Sequence, residues 1–154
     1  MDTRSTTPSR VATIQAKPHA VVVDMATSAV IVIDMQNDFG TEGGMFHRAG
    51  IDISMIQQAV GPTGNVLDAA RRIGLPIIYL KMAFKADLSD AGPIDSPSYA
   101  RHQFLGVGTM VRAPDGSESR ILIRDRWNTD ILSALAPEPD QPRPHKPHFI
   151  GFFF

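Results

Sequence analysis

The sequence predicts an α/β domain with parallel strands, and three observations carry that prediction. An unbroken apolar run from Ala29 to Ile33 ends abruptly at the acid Asp34. A second strand-like stretch, Pro76 to Met82 (PIIYLKM), follows. Between them, Met55, Ile56, Ala59, Val66, Leu67, Ala70 and Ile73 recur at helical spacing. Strand, helical crossover and strand in this order make a βαβ unit, with parallel strands and a right-handed connection.

Taken in order, residues 1–15 are polar and dominated by Ser, Thr, Arg and Pro, and they read as a disordered leader. Val21 to Val23 form a short β-like patch. The run ending at Ile33 has no polar alternation, the pattern of a strand covered on both faces. Ligands of open α/β sheets collect past the carboxyl ends of the strands, so Asp34 stands where chemistry is expected. An Asp there also commonly caps the following turn, and position alone leaves both roles open. Gln36, Asn37 and Asp38 follow as a polar loop, then Gly40, Gly43 and Gly44 supply the freedom for an irregular path.

Gly61-Pro62 interrupts the helical pattern, so a kink is expected, or a short helix followed by a longer one over 63–73. Gly74 suits the residue just past its end. Residues 84–99 read as a long surface loop, of the kind that often serves as a lid or specificity loop. Residues 100–112 are ambiguous, and Gly106-Val107-Gly108 lacks the remainder of a phosphate motif. Residues 121–123 fit a short strand or a buried turn, and 129–135 a short helix capped by Asn128 or Thr129. Five prolines then fall within residues 137–147, and the sequence closes on Gly-Phe-Phe-Phe. Aromatic residues so placed need a cover, and the domain reads as incomplete at this end.

Composition narrows the function classes. Fifteen basic against 16 acidic residues give no bulk charge for nucleic acid or an anionic membrane. No apolar run approaches the roughly 20 residues of a spanning helix. The first ten residues carry no apolar signal segment, so a cytoplasmic location is expected. The 154 residues contain no cysteine, which removes disulfides, thiolate metal sites and a cysteine nucleophile from the chain as given. His145 and His148 are three apart, but Pro147 between them breaks a regular turn, and no metal is expected. No Ser lies in a G-x-S-x-G elbow. Lys146, set among prolines and aromatics, offers an amine responsive to its surroundings, or an exposed tail lysine. Trp127 and the phenylalanines read as packing groups, without the basic interleaving of a stacking platform.

The segments AKPHAVVVD, SAVIVIDMQNDFGTEGG, PIIYLK, RWNTDIL with ALAPEPD, and KPHFIGFF stand in this order. Together they resemble the isochorismatase-like hydrolases, most closely their ureidoacrylate amidohydrolase branch in pyrimidine breakdown. The resemblance runs from about Ala16 to Phe153, and implies that residues 16–154 are the N-terminal portion of one such domain. It implies a three-layer α/β fold, a mostly parallel sheet with flanking helices. It also implies hydrolysis of a C–N bond in a small ureido or amide acid through an Asp, Lys and Cys triad. By motif Asp34 matches the aspartate, which takes the thiol proton and activates water, and Lys146 the lysine, which stabilises the ionised site. The cysteine lies beyond the part of the family domain that this sequence covers. Phe39, Phe84 and Phe149 are candidates for substrate contact by position. The Asp-x-His motif of the metal-binding members is absent, so neither metal nor cofactor is expected.

Two departures qualify the resemblance. The segment before Lys146, QPRPH, holds prolines where the family has a strand, and proline cannot donate a ladder bond. Without a partner strand, Val30–Ile33 becomes an exposed edge, so a homo-oligomer or a complementing chain is expected. Three readings follow: an amidohydrolase fragment inactive alone for want of the cysteine, a cysteine-less hydrolase of vinyl ethers using Asp34, and a non-enzymatic half-domain.

Overall fold

The computed structural model describes residues 10–138, and its first element departs from the expected leader. Val11–Ile14 forms a strand (β1) that pairs antiparallel with Val21–Asp24 (β2), Val11 opposite Asp24 and Ile14 opposite Val21. The β-branched Thr13 and Ile14 find matching partners in Val22 and Val21, which a polar average over 1–15 conceals. The hairpin is tied down at its open end. Asp24 Oδ1 accepts from the N–H groups of Arg10 (3.0 Å) and Ala26 (2.9 Å), and Arg10 Nη1 donates to the Ile73 carbonyl (3.2 Å).

Val30–Ile33 (β3) is the strand expected before Asp34. Two single-turn helices follow, Asn37–Gly40 (α1) and Met45–Arg48 (α2), then one long helix, Ser54–Ile73 (α3). Of the two alternatives at Gly61-Pro62, a break into two helices does not occur: α3 is continuous, with Pro62 inside it. Pro62 removes one helical N–H, but Gln58, Gly61 and Pro62 are all exposed, so the freed carbonyl is open to solvent. The inner face holds the helix together through Leu67 and Ala70, both buried. Gly74 closes it at φ +71°, the left-handed conformation a side chain resists.

Ile77–Leu80 (β4) then lies parallel to β3, with Val30 opposite Ile77 and Ile33 opposite Leu80. The βαβ unit is therefore present. Among the described residues it is the one parallel pair, beside two antiparallel pairs. β3 is covered on one face rather than two. Val32 packs with Leu67, Leu132 and Leu135, while Ile31 and Ile33 remain 54% and 50% exposed. Its second edge has no partner strand among the described residues.

Residues 85–96 form the mostly exposed loop expected, and regular structure resumes at its end. Pro97–Phe104 is a helix (α4) whose Ser96 side chain accepts from the Tyr99 N–H at 3.1 Å. Met110–Arg112 (β5) and Glu118–Arg120 (β6) form a hairpin that the sequence reading leaves ambiguous. The Asp115-Gly116 pair is the turn signal that marks it. Residues 121–123 are a buried turn, with Phe84 bridged to Ile123. No α-helix spans 129–135. Two 3-10 turns, Trp127–Thr129 and Ser133–Leu135, flank a bridge between Gln36 and Ile131. Backbone groups that a helix would use are taken elsewhere: Asp130 O accepts from Asn37 N–H (2.9 Å), and Leu132 N–H donates to Met35 O (3.0 Å).

The apolar interior is in two parts. One, under α3, joins Val32, Leu67, Leu132 and Leu135. The other gathers Phe39, Met45, Phe84, Ala91 and the 121–123 turn. The segment from Asp34 to Phe39 runs between them.

Candidate active site

Asp34 leaves β3 with a final ladder bond, its N–H donating to Leu80 O at 3.0 Å. Its φ of +56° then turns the chain sharply out of the sheet, a conformation costly for a residue with a side chain. The carboxyl is half-buried at the carboxyl ends of two parallel strands. Burial raises its pKa above the ordinary 3.8, and the Met82 N–H draws it back in part. Asp34 makes no ion pair among the described residues. Lys81, beside it at the end of β4, bears instead on Asp130, whose carboxyl is raised by burial and lowered by that lysine.

The three residues read as a polar loop are buried and knit the site together. Gln36 is fully buried: its side-chain N–H donates to Met82 O and its Oε1 accepts from Met82 N–H, both at 2.9 Å. Asn37 donates from Nδ2 to Trp127 O at 2.8 Å. Asp38, 0% exposed, accepts from the N–H groups of Met45 (2.9 Å) and Leu122 (2.6 Å) and from the Asn128 amide. Burial pushes the Asp38 carboxyl up, and the three donors pull it back. These side chains tie the exit of β3 to the ends of β4, α2 and the 121–129 segment. Gly44 completes the arrangement by close approach, since a Cβ there would stand 2.2 Å from the Asn37 carbonyl oxygen.

The expected aromatic contacts sit deeper than a pocket surface. Phe39 is 8% exposed, its ring 4.8 Å from that of Phe46. Phe84 is 6% exposed, its ring 4.9 Å from His102. Both belong to one apolar cluster, and Asp34 stands apart at the sheet end. Lys146 and Phe149, like His145 and His148, lie outside the described residues. Among the described residues no group of three His, Cys, Asp or Glu side chains could hold a metal, and no helix is long and apolar enough to cross a membrane.

Partial burial and its place at the carboxyl ends of β3 and β4 suit Asp34 to proton transfer. Comparison with known proteins gives this arrangement a family. The isochorismatase domain model matches residues 28–153. A Caulobacter segnis protein called ureidoacrylate amidohydrolase RutB is 34% identical over 140 residues, covering 91% of this chain and 57% of that protein. Proteins of the same name from Rhizobium rhizogenes and Agrobacterium fabrum are 32% and 33% identical, over 94% and 92% of this chain. The chain spans 58% and 60% of those two proteins. On the extent of the domain match and these relatives, the chain belongs to the isochorismatase domain family.

Proposed function

We propose that residues 16–154 are the N-terminal portion of an amidohydrolase of this family, with Asp34 as its proton-transfer group. The observation that carries the reading is the Asp34 carboxyl itself. It is half-buried at the carboxyl ends of β3 and β4, makes no ion pair among the described residues, and is raised above its ordinary range. A carboxyl so held takes a proton from a nucleophile and later returns one to a leaving amine or activates water. The relatives' name, ureidoacrylate amidohydrolase, supports a small ureido or amide acid as substrate; in this proposal the reaction serves pyrimidine breakdown in the cytoplasm, without metal or cofactor.

In this reading Lys146 supplies the cation of the site. Phe39, Phe84 and Phe149 are its aromatic groups, and the burial of Phe39 and Phe84 favours a supporting wall over direct contact. The nucleophile is a cysteine that the 154 residues do not contain, so the chain alone does not turn over amides. The complete sheet is mostly parallel and three-layered. The exposed Ile31 and Ile33 on β3, and its edge without a partner strand among the described residues, support cover by further polypeptide, a second copy or a complementing chain.

Absence of cysteine favours a second reading, vinyl-ether hydrolysis with Asp34 as proton donor and no thiol. One assay separates the two. The chain is compared alone and fused to the part of the Caulobacter segnis relative that follows its matched segment. Each is offered a ureido acid and a vinyl ether of similar size. Amide turnover by the fusion only is expected. Vinyl-ether turnover by the chain alone establishes the second reading, and amide turnover by the chain alone contradicts the first.

A further inference from the structure

The β3–β4 ladder runs in regular steps and then loses its backbone. Val30 N–H donates to Pro76 O (2.9 Å) and Asp34 N–H to Leu80 O (3.0 Å), so the next rung in register joins Gln36 to Met82. Asp34 has turned the chain away at φ +56°, and the Gln36 N–H folds back onto Asp34 O at 2.9 Å. The missing rung is made by a side chain. The Gln36 amide donates to Met82 O and accepts from Met82 N–H, two bonds of 2.9 Å closing a ring on one residue. Gln36 is 0% exposed, so water does not compete for either bond.

We propose that Gln36 is a positioning residue for Asp34, a side-chain rung that prolongs the β3–β4 ladder past the turn and fixes the Met82 peptide against the Asp34 carboxyl. The role rests on Asp34 being the proton-transfer group, as proposed above. The Met82 N–H lies near enough to the Asp34 carboxyl to lower its pKa, yet its 2.9 Å hydrogen bond goes to Gln36 Oε1. Gln36 thus keeps the donor close to Asp34 without surrendering it. The nearby charges do not replace it: Lys81 and Asp125 act on Asp130, and the Asp38 carboxyl is occupied by its own three donors.

The test reads the carboxyl directly and needs no turnover. The Asp34 side-chain carbon is followed by NMR against pH in the 154-residue chain, in Gln36→Leu, and in Leu67→Ala. Leu67 is fully buried beneath α3, so its truncation destabilises the fold without touching this rung. In Gln36→Leu the Met82 N–H is released to Asp34, and the midpoint is expected to fall by about half a unit or more, roughly threefold in proton affinity. Leu67→Ala is expected to leave it in place. A folded Gln36→Leu with an unmoved midpoint overturns the proposal, as does an equal fall in Leu67→Ala. Should Gln36→Leu not fold, exchange of the Gln36 side-chain N–H in the unmodified chain decides. Exchange much slower than at the exposed Gln57 supports the rung, and equal exchange overturns it. Loss of the Asp34 role itself would show as unchanged turnover in Asp34→Asn, a separate result from this titration.

Discussion

Asp38→Ala is expected to destabilise the chain by roughly 3–5 kcal/mol, measured as a fall in the urea unfolding midpoint. The substitution strands the Met45 and Leu122 N–H groups and the Asn128 amide in a site that water does not reach. Each unsatisfied buried donor costs about 1–3 kcal/mol, and partial collapse or water entry recovers some of the sum. Asp38→Asn keeps the volume and one acceptor oxygen but turns an NH2 toward a donor, so it should fall between wild type and alanine. Asp34→Asn supplies the contrast. Asp34 is half-buried, and the Met82 N–H near it is held by Gln36, so its change to Asn should move stability by less than about 0.5 kcal/mol. Two acids four residues apart in one motif thereby separate into a structural group and a chemical one. Equal losses at both positions would erase that distinction.

Gly44→Ala is expected to cost at least about 3 kcal/mol, by the same unfolding measurement, and to disturb the site with it. Glycine is required here for space. The backbone has φ −75° and ψ 176°, which any residue adopts. An added Cβ would meet Asn37 O at 2.2 Å, Asp38 Cα at 2.9 Å and Asn37 C at 3.0 Å. All three are backbone atoms of the segment that Asn37 and Asp38 hold by buried hydrogen bonds, so none moves cheaply. Amide spectra of a folded Gly44→Ala should show shifts at Asn37 and Asp38 well beyond those at β1. A stability within 1 kcal/mol of wild type would show that the loop yields more easily than this packing implies.

The parts of the fold written in local pattern were legible in the sequence. The apolar run before Asp34, the helical spacing of Leu67 and Ala70 and the glycine at 74 each express a rule that operates within a few residues. They located β3, α3, β4 and their parallel pairing. What stayed hidden depends on partners far along the chain. Gln36, Asn37 and Asp38 look like a solvated loop because Met82, Trp127, Leu122 and Asn128, which bury and satisfy them, lie dozens of residues away. The same long-range bonds replace a helix over 129–135 with two short turns, since Met35 and Asn37 claim its backbone groups. The β5–β6 hairpin was readable from Asp115-Gly116, and β1 from the β-branched residues at 11, 13 and 14. At the site, the chemistry expected of Asp34 follows from its place at a strand end. The depth of Phe39 and Phe84 is a property of packing that spacing does not reveal.

The central claim is that Asp34 transfers the proton. Its most direct test is the pH–rate profile of the fused hydrolase described above, with and without Asp34→Asn. Because the Asp34 carboxyl is raised, its basic form comes to predominate only at a pH above the ordinary 3.8, so the acid limb of the rate should lie above that pH. Asp34→Asn should lower the rate by about 10²–10⁴-fold and abolish that limb, with the folded state intact. An Asp34→Asn enzyme of undiminished rate, with the same acid limb, would contradict the account.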